Sequence, residues 1–260
     1  MPIFPRQPRL NFFDMMHDRP DWSTSKILDI GGNRGNLCAD GRELQKFPLE
    51  NYTCLEVDAE AVQFGKEAYP TANWVHHNAF NNVYQPLGNT EEPFPFADNT
   101  FDIICAYSVY SHTTFKQFVY DLIEALRVCK PNGSIAFTLV DTRSAEWFFE
   151  KRELDYENSN NKCITIDDLN KKGLSDYLYF VDNDLLLDEI NSTSTLEYLV
   201  TIYNLKWLSN WLDKINIEHK IKFPPHGHIQ STLVIKRGNV NIDELKKIYN
   251  ANENLVDILL

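Results

Sequence analysis

A rhythm of short apolar runs, each closed by turn residues, constrains this chain more than any other feature. Ile27-Leu28-Asp29-Ile30 runs into glycines, and comparable runs follow at Tyr52–Val57, Trp74–His77, Phe101–Tyr107 and Ser134–Val140. Runs of this length with such boundaries read as strands. Between the last two, Phe115, Phe118, Val119, Leu122, Ile123 and Leu126 recur at steps of three and four, and Lys130-Pro131-Asn132-Gly133 ends the pattern, as an amphipathic helix requires. Trp207, Leu208, Trp211, Leu212 and Ile215 draw another helix face, and Leu233–Ile235 makes a late strand. Strands that alternate with helices, several of them apolar on both faces, imply an α/β fold with a mostly parallel sheet covered by helices.

Three stretches depart from the rhythm. Residues 1–22 hold prolines near the start and then Leu10, Phe12, Phe13, Met15 and Met16, and read as a lid or docking segment. Residues 142–200 are polar and asparagine-rich at first, far longer than an ordinary connection, and read as an insertion beside the active-site end. Asn241 followed by Glu244 resembles a capping box for a terminal helix through about Leu255. The expected organisation is a main domain over 23–240, flanked by the 1–22 segment and a helix in 241–260.

Composition narrows the classes. At 260 residues, 43% apolar and 13% aromatic, the chain can bury a full core and is no disordered polymer. Its 37 acidic against 25 basic residues give a net charge of -12, and the lysines of the carboxyl-terminal third are scattered, which disfavours a nucleic-acid partner. Cys38, Cys54, Cys105, Cys129 and Cys163 are odd in number and show no C-x-x-C spacing, as expected of reduced thiols in a cytoplasmic protein. No charged start leads into an apolar export segment, and no run approaches about 18 apolar residues, so a membrane partner is not expected.

The strongest local signal is Asp29-Ile30-Gly31-Gly32-Asn33-Arg34-Gly35, directly after the first strand. Glycines there let the backbone turn sharply and approach a ligand, and the next helix offers free N–H groups at its amino end. A nucleotide-like ligand fits such a loop; so does a plain tight turn. The second strand then ends in Leu55-Glu56-Val57-Asp58, which sets a carboxylate where an acid accepts ribose hydroxyls in folds of this type. Glu56 is favoured over Asp58, which also suits the cap of the following helix.

With these residues in place, the chain resembles the class I S-adenosylmethionine-dependent methyltransferases, in particular the small-molecule branch. The resemblance spans roughly Lys26 to Asp141 and continues more weakly to about Arg237. The family's acid-and-glycine motif falls on Asp29, Gly31 and Gly35, with Asn33 in place of the middle glycine, and Gly32 within the turn is a further cofactor-binding candidate. Its ribose acid falls on Glu56, beside Val57. Its acid-alanine pair near the adenine falls on Asn78-Ala79-Phe80, where an amide replaces the acid. Pro93 to Ile104 resembles the family's approach to its fourth strand, and Arg127 to Gly133 the helix end before its fifth. A Rossmann dehydrogenase shares the glycine turn and the acid but not this ordered pair. The resemblance implies a Rossmann-like, doubly wound sheet of seven strands with helices on both faces and an insertion after the fifth strand, and S-adenosylmethionine as cofactor.

It also implies that Ala106-Tyr107-Ser108-Val109-Tyr110-Ser111-His112 lies under the transferred methyl, with Tyr107 along the cofactor. His112 is a candidate general base, with Tyr110 as a second catalytic candidate; a plain hydrogen bond at the next helix start is the structural alternative for His112. No N-P-P-Y motif is present, which weakens a DNA or glutamine acceptor. The expected acceptor is a small molecule or a peptide end, O-methylated, a carboxylate included. His226 and His228 have no third ligand, so no metal is expected. Trp147, Phe148 and Phe149 are candidates for walling the acceptor pocket. Two rivals remain at this point, a non-catalytic S-adenosylmethionine-binding module and a nucleotide-dependent oxidoreductase.

Overall fold

The strand β1 (Ile27–Ile30) is buried throughout and pairs in parallel with β2 (Tyr52–Glu56) on one side and β4 (Phe101–Ala106) on the other. A computed structural model provides this architecture and describes residues 9–81, 84–113, 115–141, 202–203, 205–223 and 230–251. Beyond β2 lies β3 (Asn73–His76), and beyond β4 lies β5 (Cys129–Asp141), again in parallel. β8 (Ser231–Lys236) runs antiparallel to β5 and pairs with β7 (His219–Lys222), so the strand order is β3-β2-β1-β4-β5-β8-β7. This seven-strand path is the expected Rossmann-like sheet, with its antiparallel hairpin at one edge. The two-residue β6 (Ile202–Tyr203) adds a pairing at the far end of β5.

Alternation along the strands assigns one apolar layer to each face of the sheet. Leu28, Ile30, Leu55, Ile104, Ile135, Phe137, Leu233 and Ile235 pack with α4 (Phe115–Val128) and α5 (Leu205–Lys214). Ile27, Tyr52, Cys54, Ile103, Cys105, Ala136 and Val234 pack with α1 (Arg9–Met16) and α2 (Asn36–Glu43). The terminal helix α6 (Ile242–Ala251) starts at the predicted cap, where the Asn241 side chain accepts the Glu244 N–H at 3.2 Å, and it packs on α4. Buried Cys38, Cys54, Cys105 and Cys129 are free thiols. Among the described residues no helix is long and apolar enough to cross a membrane.

The segment before β1 is part of this core. Leu10, Phe12, Phe13 and Met16 of α1 are buried. The first turn is tied to α2 by the buried Asp40, which accepts the Leu10 N–H at 3.1 Å. At the other end the Lys222 ammonium of β7 donates to the carbonyls of Met15 and Met16 and to Asp18. A lysine suits that position because the last carbonyls of a helix are unpaired and carry negative partial charge.

The two specific sequence segments meet through one side chain. Arg127, near the end of α4, donates to the carbonyls of Phe94 and Phe96 at 2.9 and 2.8 Å, to Asp98 at 2.8 Å, and to the buried Glu124. The Thr100 N–H reaches the Val128 carbonyl at 2.7 Å, which sets the start of β4 against the end of α4. The insertion 142–200, with Cys163, Trp147, Phe148 and Phe149, lies outside the described residues, as do His226 and His228.

Candidate functional site

Parallel strands end together, so the loops after β1, β2 and β4 share one edge of the sheet, the edge where open α/β sheets bind ligands. A cavity of about 460 Å³ opens there, within the usual range for a small-molecule site. Asp29, Gly31, Gly32, Asn33, Glu56, Val57, Tyr107 and His112 all line it, so most of the predicted site residues are brought together.

The glycine turn is fixed by backbone geometry. Gly31 has φ 62°, a left-handed conformation that a side chain strains, and a Cβ built on it would lie 2.4 Å from Val109 Cγ2. Its N–H donates to the Leu55 carbonyl at 2.8 Å, which fastens the loop to β2. Asn33 holds φ 51°, a region asparagine tolerates better than most residues, so the missing middle glycine is replaced without loss of the turn. Gly35, at φ 83°, caps α2 and stands behind the loop against Trp74 rather than on the cavity wall.

Glu56 closes the opposite side of the turn. It is buried, with the Asn33 N–H donating to Oε2 at 2.7 Å and the Asp58 N–H to Oε1 at 2.9 Å. Burial raises its pKa against the pull of those N–H groups. Asp58 also lines the cavity, while its side chain accepts the Glu60 N–H at 2.9 Å as the cap of α3 (Ala59–Ala68). Asp29 accepts the Tyr52 hydroxyl at 2.6 Å, and burial pushes its carboxyl up to about 7 despite that bond.

Like Gly35, two further groups of expected residues stand off the cavity wall. Asn78, Ala79 and Phe80 do not line the cavity. The Asn78 carbonyl oxygen accepts from the Gln85 side chain at 2.7 Å, Ala79 is buried, and Phe80 is exposed. Asn81 and Tyr84 line the cavity instead, carried there by the bridge between Asn81 and Gln85. Tyr110, a catalytic candidate, is fully buried, its ring packed against Phe118 and Phe137, and it does not reach the cavity. The cause is the tight turn Tyr110–His112: about three residues per turn aim neighbouring side chains apart, so Tyr110 enters the core while His112 faces the cavity.

Sequence reasoning missed Arg9, Asn36 and Leu37 on the wall, named Phe13 only within the 1–22 segment, and gave Ser108 and Val109 only as members of the run under the methyl. Arg9 and Phe13 stand four residues apart on α1, hence on one helical face, a spacing visible in the sequence. Ser108 gave no such signal. It holds φ 58°, donates its N–H to Thr138 Oγ1 at 2.7 Å, and accepts from the Gln230 side chain at 2.8 Å, while Thr138 donates to Gln230 Oε1 at 2.6 Å. These bonds cross from β4 to β5 and β8, and they hold Ser108 at the cavity floor.

The arrangement combines a close-approach loop, a buried acid with accepting capacity, aromatic side chains and a histidine. The family model for a methyltransferase domain matches residues 22–193. An uncharacterized methyltransferase of Schizosaccharomyces pombe is 26% identical over 188 residues, covering 72% of this chain and 66% of the relative, so the chain spans just under two thirds of that protein's length. A solved SAM-dependent methyltransferase from Methanosarcina mazei is 15% identical, with 93% of this chain and all of that chain covered at a TM-score of 0.50. A Pyrococcus horikoshii protein of the same fold is 13% identical, with 88% and 89% covered at a TM-score of 0.51. The family match leaves no place for the oxidoreductase alternative, and the chain belongs to the methyltransferase-domain family of S-adenosylmethionine-dependent enzymes.

Proposed function

We propose that this chain O-methylates a small metabolite or a peptide end, a carboxylate included, with His112 facing the reacting group. The cofactor fits the cavity on an observation of its walls: the glycine turn brings the backbone itself to the wall, and Glu56 keeps accepting capacity beyond its two backbone partners. On this reading Asp29, Gly31, Gly32, Asn33 and Val57 surround the cofactor, Glu56 accepts its ribose hydroxyls, and Tyr107 flanks it. Bound there, the cofactor supplies an electrophilic methyl on a sulfonium.

The observation that carries the acceptor side is that His112 and Ser108 both line the cavity. Methyl transfer is a direct displacement, so alignment and exclusion of water contribute most of the rate. A carboxylate acceptor is already ionised and needs no base; a hydroxyl needs one. A mass-resolved screen of cell extracts for a gain of one methyl names the acceptor, and His112→Ala then separates the two cases. With a hydroxyl acceptor kcat should fall by about two to four orders of magnitude. With a carboxylate the variant should stay within about tenfold of native, through alignment alone. Cofactor binding without any methylated product in the screen would favour a non-catalytic binding module.

A further inference from the structure

We infer that Arg9 receives the α-carboxylate at the amino-acid end of the cofactor, an inference that rests on the cofactor reading above and adds a residue to it. Arg9 opens α1, is half-buried, and lines the cavity one turn before Phe13. Its guanidinium carbon lies 3.4 Å from the centroid of the Tyr107 ring. That ring is itself held edge-on by Phe12 at 5.4 Å and by Phe13 at 6.4 Å. The stack fixes a long side chain that would otherwise be free, and it uses the face of the guanidinium while its N–H donors point outward from the edge.

The charges around it are the second part of the argument. Among the described residues that line the cavity, Arg9 carries the one permanent positive charge, against Asp29, Glu56 and Asp58. None of these acids forms an ion pair with it; the described ion pairs all lie elsewhere. The cofactor carries a positive sulfonium, an ammonium and a single anionic group, its carboxylate. A guanidinium in this cavity would repel the first two unless the carboxylate stands against it, and planar fork geometry matches a carboxylate best. Arg9 and Asp29 are close enough for the positive charge to act on the Asp29 carboxyl. A carboxylate on the acceptor is the other source of the same chemistry, and the test separates the two.

Calorimetry on the native protein, Arg9→Met and Arg9→Lys would use S-adenosylhomocysteine and its decarboxylated analogue, which differ only in the carboxylate. The native protein should prefer the intact ligand by about 10- to 100-fold, the scale of hydrogen bonds to a charged group. Arg9→Met should bring that preference within about threefold by weakening the intact ligand alone, and Arg9→Lys should keep part of it. A preference that survives in Arg9→Met overturns the inference and leaves Arg9 to the acceptor or the wall; so does equal weakening of both ligands. Should Arg9→Met fail to fold, native protein that binds both ligands alike overturns the inference on its own. Native protein with no affinity for either ligand would remove the cofactor reading itself.

Discussion

Replacing Glu56 by alanine separates a ligand-binding carboxylate from a loop clamp, because it clamps the turn and also lines the cavity proposed for the cofactor. An ionised carboxylate offers about four acceptor sites. Two are taken by the N–H groups of Asn33 and Asp58 at 2.7 and 2.9 Å, which leaves capacity on each oxygen for the two ribose hydroxyls. Truncation therefore has two costs. An orphaned buried N–H costs about 1–3 kcal/mol, and because both face a cavity that water enters, their sum belongs near about 2 kcal/mol. The ligand loses hydrogen bonds to a charged acceptor, about 1.5–3 kcal/mol, or roughly 10- to 150-fold in Kd. Urea unfolding of the ligand-free variant reads the first and calorimetry with S-adenosylhomocysteine the second. Loss of stability with affinity within about twofold of native would refute the ribose assignment and leave Glu56 as a clamp on the turn.

Gly31→Ala meets both a left-handed φ and Val109, so it should abolish measurable cofactor binding and cost about 1–3 kcal/mol in urea unfolding; partial recovery in Gly31→Ala/Val109→Ala would identify the clash as the cause, and native affinity in the single variant would sink the argument. For Asp29, whose carboxyl is raised to about 7, folding favours the protonated form, so its stabilisation is full below about pH 4 and is lost as pH rises toward 7. Asp29→Asn should thus gain on the native protein across that window in ligand-free urea unfolding, and a difference that stays constant with pH would contradict the shift. Arg127→Met leaves the buried Glu124 with Lys246 and the Phe94 N–H and frees the carbonyls of Phe94 and Phe96, so a loss of about 3–5 kcal/mol is expected; a loss below about 1 kcal/mol would show that the 93–98 segment is held by its apolar contacts instead.

The strands and the glycine turn were legible because their cause is local. A buried parallel strand must be apolar on both faces, and only particular residues accept the φ of Gly31, Asn33 and Gly35, so composition and spacing carry the signal. Glu56 was legible for the same reason, as the polar end of an apolar run. Asn81 and Tyr84, rather than Asn78 to Phe80, line the cavity because the path after β3 is set by a bridge between Asn81 and Gln85, a pairing that no periodic pattern announces. Tyr110 and His112 could not be told apart from spacing at a strand end, since the turn that follows rotates about three residues per revolution rather than two. Ser108 depends on Thr138 and Gln230, distant in sequence, and such contacts leave no local trace.

The anchorage of α1 has a consequence for the order in which the protein is made. Arg9 and Phe13 leave the ribosome first, but the helix that carries them is clasped at its far end by Lys222, and His17 beside it bonds Ser134 at 2.8 Å. Most of the chain must therefore be synthesised before that wall of the cavity has its final supports. Translation runs at about 5–20 residues per second, so α1 waits on the order of ten seconds or more for them. During that interval Leu10, Phe12, Phe13 and Met16 have no complete partner surface, and ligand cannot yet stabilise the nascent chain through a finished pocket. A ribosome-stalled series should accordingly gain cofactor binding only once β7 and β8 have emerged.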